Sequence, residues 1–392
     1  MKKTREFFET YTRDLTRDEL GKLFTRETPE AYRFFARGID TAALRALPWY
    51  TRALKYAQAF FLAFTMRLTP ARRVIYAVAL VASVIGLFEL FRGIGVVRVP
   101  FPIAFFFIHI GIVAPRFEPG TIWLLTAFLA MNLLVLLEVY DRISLKRDLE
   151  VAREIQKAML PDGTWNGPDV EAFGLTQPAN TVGGDFYDIL PLADGRVIVA
   201  LGDVAGKASP AALLMALFLA MLRTLVDLGL EPVELARRLN VQVMRYAPSS
   251  RFITFFLALY DPATGALRFI NAGQTPPLLR RMNGAIERLQ TGGTALGMFE
   301  GSTYEEGRTA LAPGDALIMY SDGITEAEAP DGTPFDEIGI EHTIERVPSS
   351  AAAALGRAIF DAVEGHRLDT RLGDDLTVLV LSRPVVPPIP VV

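Results

Sequence analysis

The chain has no cysteine and little histidine. The absence of cysteine from its 392 residues excludes disulfide bonds, thiolate metal sites and cysteine nucleophiles. The three histidines, His109, His342 and His366, lie in no recognisable motif, so histidine-based chemistry is not expected. The nucleophile elbow G-x-S-x-G and the P-loop G-x-x-x-x-G-K-[ST] are also missing. Any catalysis must therefore use carboxylates, hydroxyls, Lys or Arg side chains and bound ions.

A strong charge of one sign is missing too. The formal net charge is -4 at pH 7, and the sequence contains no block of Lys and Arg. A nucleic-acid-binding protein needs such a basic surface to neutralise phosphates. We therefore predict that nucleic acid is not a partner.

Uncharged apolar runs are concentrated in residues 71–140. Residues 74–91 and 122–139 each approach the roughly 20 apolar residues that a membrane-spanning helix needs. Between them, residues 99–115 are also apolar but include prolines. We predict a transmembrane region at 71–140, preceded by a charged, helix-prone cytosolic segment at 1–70.

Basic residues on both sides of this region bear on its topology. Arg67, Arg72 and Arg73 precede the first run, and Arg142, Lys146 and Arg147 follow the last. Positive flanks face the cytoplasm, which requires an even number of crossings. We therefore interpret the middle run as re-entrant or interfacial; three spans with the N-terminus outside is the alternative. Either way, we expect a multi-pass protein of the inner (cytoplasmic) cell membrane with a cytoplasmic catalytic domain.

Residues 141–162 are predicted to form a linker helix that ends at a Pro-Asp-Gly sequence. Its apolar residues recur at intervals of three and four along one helix face. They are Leu145, Leu149, Ala152, Ile155 and Met159. One interpretation is a homodimer through the helix at 141–160; the other is packing against the chain's own next domain.

Residues 163–383 alternate short apolar strands with helices and hairpin turns. Helices are expected at 209–228, 232–245 and 350–363, and hairpin connections favour antiparallel sheets flanked by helices over a doubly wound parallel sheet. A proline-rich, extended tail follows at 384–392.

Four apolar strands in this region begin or end close to an aspartate, and each of these aspartates lies beside a glycine. The sequences are Gly184-Asp185, Gly202-Asp203, Asp322-Gly323 and Gly373-Asp374-Asp375. Strand ends on one edge of a sheet converge, so these carboxylates are predicted to meet. Oxygen-only ligands suit Mg²⁺ or Mn²⁺, and two such ions generate hydroxide near neutral pH and clamp a phosphoryl group.

The order of these motifs resembles a known family. VGGDFYD, GDVAGKASPAALLMA, NAGQTPPLL, YSDGITEA and GDDLTVLVL, preceded by REIQKAMLP, are similar to PPM-type serine/threonine phosphatases of the bacterial SpoIIE/RsbU-like branch over residues 150–383. The resemblance implies an α+β fold, an α-β-β-α sandwich, with two Mn²⁺ or Mg²⁺ ions between the sheets. The implied ligands are Asp185, Asp203, the backbone carbonyl of Val204, Asp322 and Asp374, with Asp375 a less direct ligand.

The resemblance also implies a reaction and a partner. The expected reaction is hydrolysis of phosphoserine or phosphothreonine on a protein by a metal-bridging hydroxide, without a covalent intermediate. The substrate in this family is often a STAS-type anti-sigma-factor antagonist. The linker helix is expected to relay a signal from the membrane region to the metal site.

The chain departs from the family pattern at two places. Ala205-Gly206-Lys207-Ala208 stands where the family has S-G-K-G, and we expect Ala208 to be tolerated if its φ is negative. Lys207 is either a solvated loop residue or a phosphate contact. Gln274 replaces the histidine of N-A-G-H and cannot titrate, which removes a proton-transfer role there.

Two other functions compete with this interpretation. A catalytically silent PPM-fold signalling or binding module is the first, although every ligand carboxylate is retained. A diguanylate cyclase is suggested by Gly183-Gly184-Asp185, but Phe186 follows where an acidic residue is needed.

Overall fold

The computed structural model describes residues 48–385 except 67, 93, 104, 105, 116, 117, 249, 349 and 369. The chain divides into two compact units between Ile143 and Ser144. Most of the predicted N-terminal segment 1–70 and of the tail 384–392 lies outside the described residues.

The described part of the first unit is built from three helices and a β-hairpin. Its elements are α1 (Trp49–Thr65), α2 (Pro70–Arg92), β1 (Ile94–Ile103), β2 (Phe106–Pro115) and α3 (Glu118–Met159), the last continuing into the second unit.

The middle apolar run forms most of the β-hairpin. The strands β1 and β2 pair antiparallel, from Ile94 opposite Pro115 to Ile103 opposite Phe106. Proline interrupts a helix interior, whereas the many Val and Ile residues of this segment favour strands. The structure therefore contains a hairpin here.

Helices α2 and α3 lie antiparallel and close together. Arg72 contacts Glu138 at 3.3 Å and Asp141 at 2.7 Å at one end of the pair. Towards the other end, a Cβ on Gly86 would lie 2.7 Å from the Cγ of Leu124, so only glycine allows this approach. The outer ends of these two antiparallel helices therefore lie on the same side of the pair.

Three described helices are long and apolar enough to cross a membrane. They are Pro70–Leu90, the segment Gly120–Met159 of α3, and Ser209–Asp227. The third packs one face into the core of the second unit, where Phe218 and Leu222 are fully buried. The apolar helices that are compatible with a membrane region are therefore α2 and α3.

The second unit contains two facing six-stranded sheets. The first has the order β10-β9-β13-β14-β4-β3, and the second has the order β11-β8-β7-β6-β5 with β12 paired to β8. The strands are β3 (Thr164–Asn166), β4 (Glu171–Gln177), β5 (Phe186–Pro191), β6 (Val197–Val204), β7 (Ile253–Asp261), β8 (Ala266–Ala272), β9 (Leu278–Arg280), β10 (Ile286–Arg288), β11 (Gly292–Gly293), β12 (Gly307–Ala310), β13 (Ala316–Tyr320) and β14 (Leu376–Ser382).

Helices cover the outer face of each sheet. The helices are α4 (Ser209–Asp227), α5 (Pro232–Tyr246), α6 (Asp322–Thr325), α7 (Asp336–Arg346) and α8 (Ala352–Arg367). Strand β6 shows why the layers form: Val199 and Leu201 face the core between the sheets, while Ile198 and Ala200 face α4 and α5. The predicted α-β-β-α sandwich is confirmed.

Helix α3 differs from its prediction at its start. The expected linker helix at 141–160 is the last part of one helix of 42 residues that already contains the second apolar run. Along its predicted stripe, Leu145 and Ile155 are 61% and 59% exposed, and Met159 packs against the core of the second unit. Packing on the chain's own domain therefore accounts for Met159 but leaves Leu145 and Ile155 uncovered.

Helix α4 begins after a strained residue. Ala208 has φ 63° and ψ -150°, and its side chain makes no capping hydrogen bond. This conformation is populated essentially by glycine and costs other residues about 1–3 kcal/mol. The condition of a negative φ at Ala208 is therefore not met.

We predict that Ala208→Gly raises the free energy of unfolding by about 1 kcal/mol, because glycine adopts this conformation without strain. Ala220→Gly, at an exposed position inside α4, should lower it by a similar amount. Chemical denaturation of the full-length chain in detergent measures both. Destabilisation by both substitutions would show that Ala208 is not strained.

Candidate metal centre

Both sheets contribute aspartates to one edge of the sandwich. Asp185 precedes β5 and Asp203 lies near the end of β6, whereas Asp322 follows β13 and Asp374 precedes β14. The Gly184 amide donates to Oδ2 of Asp375 at 2.7 Å, which joins the two sheets at this edge. All the carboxylates predicted from the sequence therefore lie in one neighbourhood.

Asp375 is the most structurally engaged of these carboxylates. Its Oδ1 accepts the amide of Ala179 at 2.8 Å, and its Oδ2 accepts those of Gly184 at 2.7 Å and Asp185 at 3.4 Å. Backbone donors therefore occupy both oxygens. The geometry suits a residue that fixes the loop before β5, in keeping with its expected lesser role as a ligand.

Asp185 has the opposite character. Its side chain is buried, and its Oδ2 has no hydrogen-bond partner within the described part of the chain. Burial raises the pKa of Asp185 well above its ordinary value, and the negative charges of Asp203 and Asp375 raise it further. A buried carboxylate oxygen without a donor fits a position for a cation.

The repulsion extends to the neighbouring carboxylates. Burial and the charge of Asp322 raise the pKa of Asp203 to about 7. Partial burial of the Asp322 carboxyl and the charge of Asp374 raise the pKa of Asp322. Taken as a whole residue, Asp322 is nonetheless exposed. The set of aspartates is therefore open to solvent on that side.

Among the described residues, no three acidic or imidazole side chains surround a common point. A preformed metal-binding cluster is therefore not found among them. The donor set is made of oxygens only, carries uncompensated negative charge and includes one unpaired buried oxygen. These properties fit hard divalent cations such as Mg²⁺ and Mn²⁺.

The backbone carbonyl of Val204 lies next to the same loop. A Cβ on Gly184 would meet this oxygen at 3.0 Å and Oδ1 of Asp203 at 3.2 Å. Glycine at 184 therefore lets the chain before Asp185 approach the end of β6. The predicted backbone ligand is thus beside Asp203 and Asp185.

Lys207 is neither purely solvated nor free. Its Nζ contacts Oδ2 of Asp374 at 2.8 Å and donates to the carbonyl of Gly373 at 2.6 Å, although the side chain is 59% exposed. The hydrogen bond to Asp374 raises the pKa of the Lys207 ammonium. Lys207 therefore partly neutralises the negative charges of Asp374 and Asp322.

Gln274 supports the strand that leads to Asp322. It is buried, and its side-chain Nε2 donates to the carbonyl of Tyr320 at 3.3 Å. Its backbone N–H donates to Oδ1 of Asn271 at 2.8 Å. The side chain therefore binds a backbone carbonyl and has no titratable proton. A positioning role explains this residue without a proton-transfer role.

The site residue that sequence reasoning missed is Gln156 on α3. Its Nε2 donates to the carbonyl of Gly183 at 2.7 Å, and its Oε1 accepts the Gly183 amide at 3.1 Å. It is buried on an otherwise exposed stretch of helix. Its position directly after Ile155 and three residues before Met159, both on the predicted apolar stripe, was the available signal.

A family model described as Stage II sporulation protein E (SpoIIE) matches residues 193–384. Phosphoserine phosphatase RsbU of Bacillus subtilis is 27% identical over 242 residues, which cover 62% of this chain and 71% of RsbU. Protein IcfG of Synechocystis is 28% identical over 280 residues, and the match covers 43% of IcfG. Phosphoserine phosphatase RsbP of B. subtilis is 25% identical, and the match covers 47% of RsbP. The chain thus spans under half the length of the last two.

Solved structures share the fold. The SiaA-PP2C domain of Pseudomonas aeruginosa superimposes with a TM-score of 0.54 at 21% identity, over 62% of this chain and 98% of that domain. The RsbU and RsbW domains of Rv1364c from Mycobacterium tuberculosis give 0.50 at 25% identity, over 57% and 62%. Together with the family model and the RsbU relative, this shared fold makes the second unit a SpoIIE-type PP2C (PPM) phosphatase domain.

We predict that without metal the free energy of unfolding falls as the pH rises from about 4 to about 8. The pKa of Asp203 is about 7 in the folded chain and lies near 3.8 when unfolded, so deprotonation at higher pH costs the folded state. The raised pKa of Asp185 acts in the same direction. Thermal unfolding in EDTA checks this.

Asp203→Asn should reduce the pH dependence, and added Mn²⁺ should restore stability at pH 8. An unfolding temperature in EDTA that is constant across this range would contradict the repulsion among the carboxylates.

Proposed function

We propose that the chain is a membrane-anchored, metal-dependent protein phosphatase that hydrolyses phosphoserine or phosphothreonine on a signalling protein. The observation that carries this proposal is the group of mutually repelling aspartates at the edge of a SpoIIE-type PP2C domain. The relatives RsbU and RsbP, named as phosphoserine phosphatases, support the reaction class.

Asp185, Asp203, Asp322, Asp374 and the carbonyl of Val204 would hold two Mn²⁺ or Mg²⁺ ions, with Asp375 supporting the loop before Asp185. Bound there, the ions would supply an activated hydroxide near neutral pH and neutralise the phosphoryl oxygens.

The chain's own residues set the geometry for this chemistry. Asp375 accepts the amides before β5 and fixes where Asp185 lies. Ser321 donates its hydroxyl to the carbonyl of Asp375 at 3.1 Å and accepts the Thr377 amide at 3.0 Å, which ties β13 to β14. These hydrogen bonds orient the acidic side chains without taking part in proton transfer.

The substrate and location follow from the same proposal. A phosphorylated STAS-type anti-sigma-factor antagonist is the expected partner, because RsbU-like relatives support a phosphoprotein substrate. Helices α2 and α3 would form a multi-pass anchor in the inner membrane with the phosphatase domain in the cytoplasm. The exposed residues Leu145 and Ile155 leave a surface for a homodimer through 141–160.

A silent PPM-fold binding module is the second candidate. Two observations favour it: Lys207 is paired with the ligand candidate Asp374, and Ala208 is strained where the family has glycine. Retention of all the acidic residues favours the enzyme.

We predict that Asp203→Asn lowers Mn²⁺-dependent phosphate release at least about 100-fold, because it removes a charged ligand while keeping the shape of the side chain. Release of phosphate from a phosphoserine peptide by the full-length chain measures this. Asp227→Asn, at the exposed end of α4, is the matched control and should keep full activity. Wild-type turnover by Asp203→Asn would refute the metal assignment.

We propose that Gln156 connects the linker helix to the metal centre. The boundary between the two units falls within α3, and Gln156 on that helix bonds both backbone groups of Gly183. The adjacent residues Gly184 and Asp185 belong to the candidate metal centre. A change in the packing of α3 would therefore move the loop that positions Asp185.

We predict that Gln156→Ala raises the Mn²⁺ concentration for half-maximal activity about tenfold, because the Gly183 amide and carbonyl lose their partners. Saturating Mn²⁺ should recover most of the turnover. Lys157→Ala, at the exposed neighbouring position, should leave the Mn²⁺ dependence unchanged. An equal loss of turnover at every Mn²⁺ concentration would argue against this connection.

A further inference from the structure

A cavity of about 350 Å³ adjoins the candidate metal centre. Gly323 and Asp374 contribute to its lining from the centre, and Glu326, Glu328 and Arg371 contribute from outside it. This volume falls in the range of small-ligand pockets, about 300–1,000 Å³, and exceeds what a phosphoryl group fills. The cavity can therefore take more of a substrate than its phosphate.

The lining contains three cationic side chains, two of which are already neutralised. Lys207 contacts Asp374 at 2.8 Å. Arg367 donates to Glu364 at 2.9 Å through its Nε. Arg371 forms no ion pair with any residue that the structure describes.

Arg371 keeps its guanidinium available at an exposed position. Within the described part of the chain, its polar contact runs from Nη2 to Oδ1 of Asn180 at 3.5 Å, which is at the limit of a hydrogen bond. The planar fork of an arginine matches a carboxylate with two parallel hydrogen bonds. An anionic group of the substrate is the partner that this side chain fits.

The position of the cavity identifies that anionic group. Its lining includes neither Asp185 nor Asp203, so it extends away from the deeper part of the centre. Glu326 and Glu328 on the same lining repel an anion, whereas Arg371 attracts one. The fitting partner is thus an acidic side chain at one defined position, apart from the phosphoryl group.

We propose that this cavity is the subsite for residues flanking the phosphorylated serine, and that Arg371 selects an acidic residue there. The inference rests on the proposed phosphatase function and specifies its substrate class. It makes Arg371 a specificity-determining residue and assigns it no part in the hydrolysis step.

The test uses the full-length chain with Mn²⁺ and a set of phosphoserine peptides in which Asp, Ala or Lys is placed in turn at each position beside the phosphoserine. The wild-type chain should show about a fivefold higher kcat/KM for Asp than for Ala at one position, and the lowest value for Lys. Arg371→Ala should remove this preference, and Arg371→Lys should keep part of it.

p-Nitrophenyl phosphate, which has no flanking residues, is the reference substrate. In Arg371→Ala, the ratio of kcat/KM for the preferred peptide to that for p-nitrophenyl phosphate should fall about fivefold. Arg346→Ala, which removes an exposed arginine outside the cavity, should keep the wild-type ratio.

Three results would overturn the inference. One is a wild-type chain without position-specific preference, and another is a preference that survives in Arg371→Ala. The third is an equal loss on peptide and p-nitrophenyl phosphate, which would place Arg371 on the phosphate. A wild-type chain inactive on every peptide and on p-nitrophenyl phosphate would refute the proposed function together with this inference.

Discussion

Repulsion among aspartates that two sheets hold at one edge is the constraint on which the rest of this domain depends. Asp185 is buried with one oxygen unpaired, and the charges around it raise its pKa. Isolated carboxylates would move apart into water, but buried strands β6 and β14 fix the backbone at this edge. The packing of the sandwich therefore maintains an arrangement that is unfavourable until positive charge is supplied.

Contacts from several elements converge on the short segment that begins this site. Gln156 on α3 bonds Gly183, and Asp375 before β14 bonds the amides of Gly184 and Asp185. A few residues further on, the buried Asp188 pairs with Arg223 of α4 at 2.8 Å, and Arg223 also donates to the carbonyl of Met159 at 2.6 Å. The end of the linker helix and the first ligand candidate are thus held by one connected set of hydrogen bonds. Through this set of contacts, the proposed link between α3 and the metal centre would act.

Local sequence patterns predicted the parts of the fold that they determine. Strand β13 is an apolar run that ends shortly before Asp322, and β14 is one that begins directly after Asp375, so the acidic positions could be read directly. The φ of Ala208 and the partners of Gln156 depend on chain segments that are distant in sequence, which no local pattern encodes. The apolar hairpin at 94–115 could not be distinguished from a buried helical segment by hydrophobicity alone. The same limit applies to Arg371, whose significance comes from the pairing of its neighbours.

Gln274 stands where the family pattern has histidine, so one group that could make the site's behaviour depend on pH is absent from this position. Gln274 donates to the carbonyl of Tyr320 through an amide whose hydrogen-bonding capacity is the same at every physiological pH. The strand end before Asp322 is therefore held without a titrating group. The pKa of Asp203, at about 7, instead places a carboxylate in the range where histidine normally titrates. Because a proton would compete with the proposed cations for that carboxylate, the proposed metal affinity should depend on pH through the aspartates themselves.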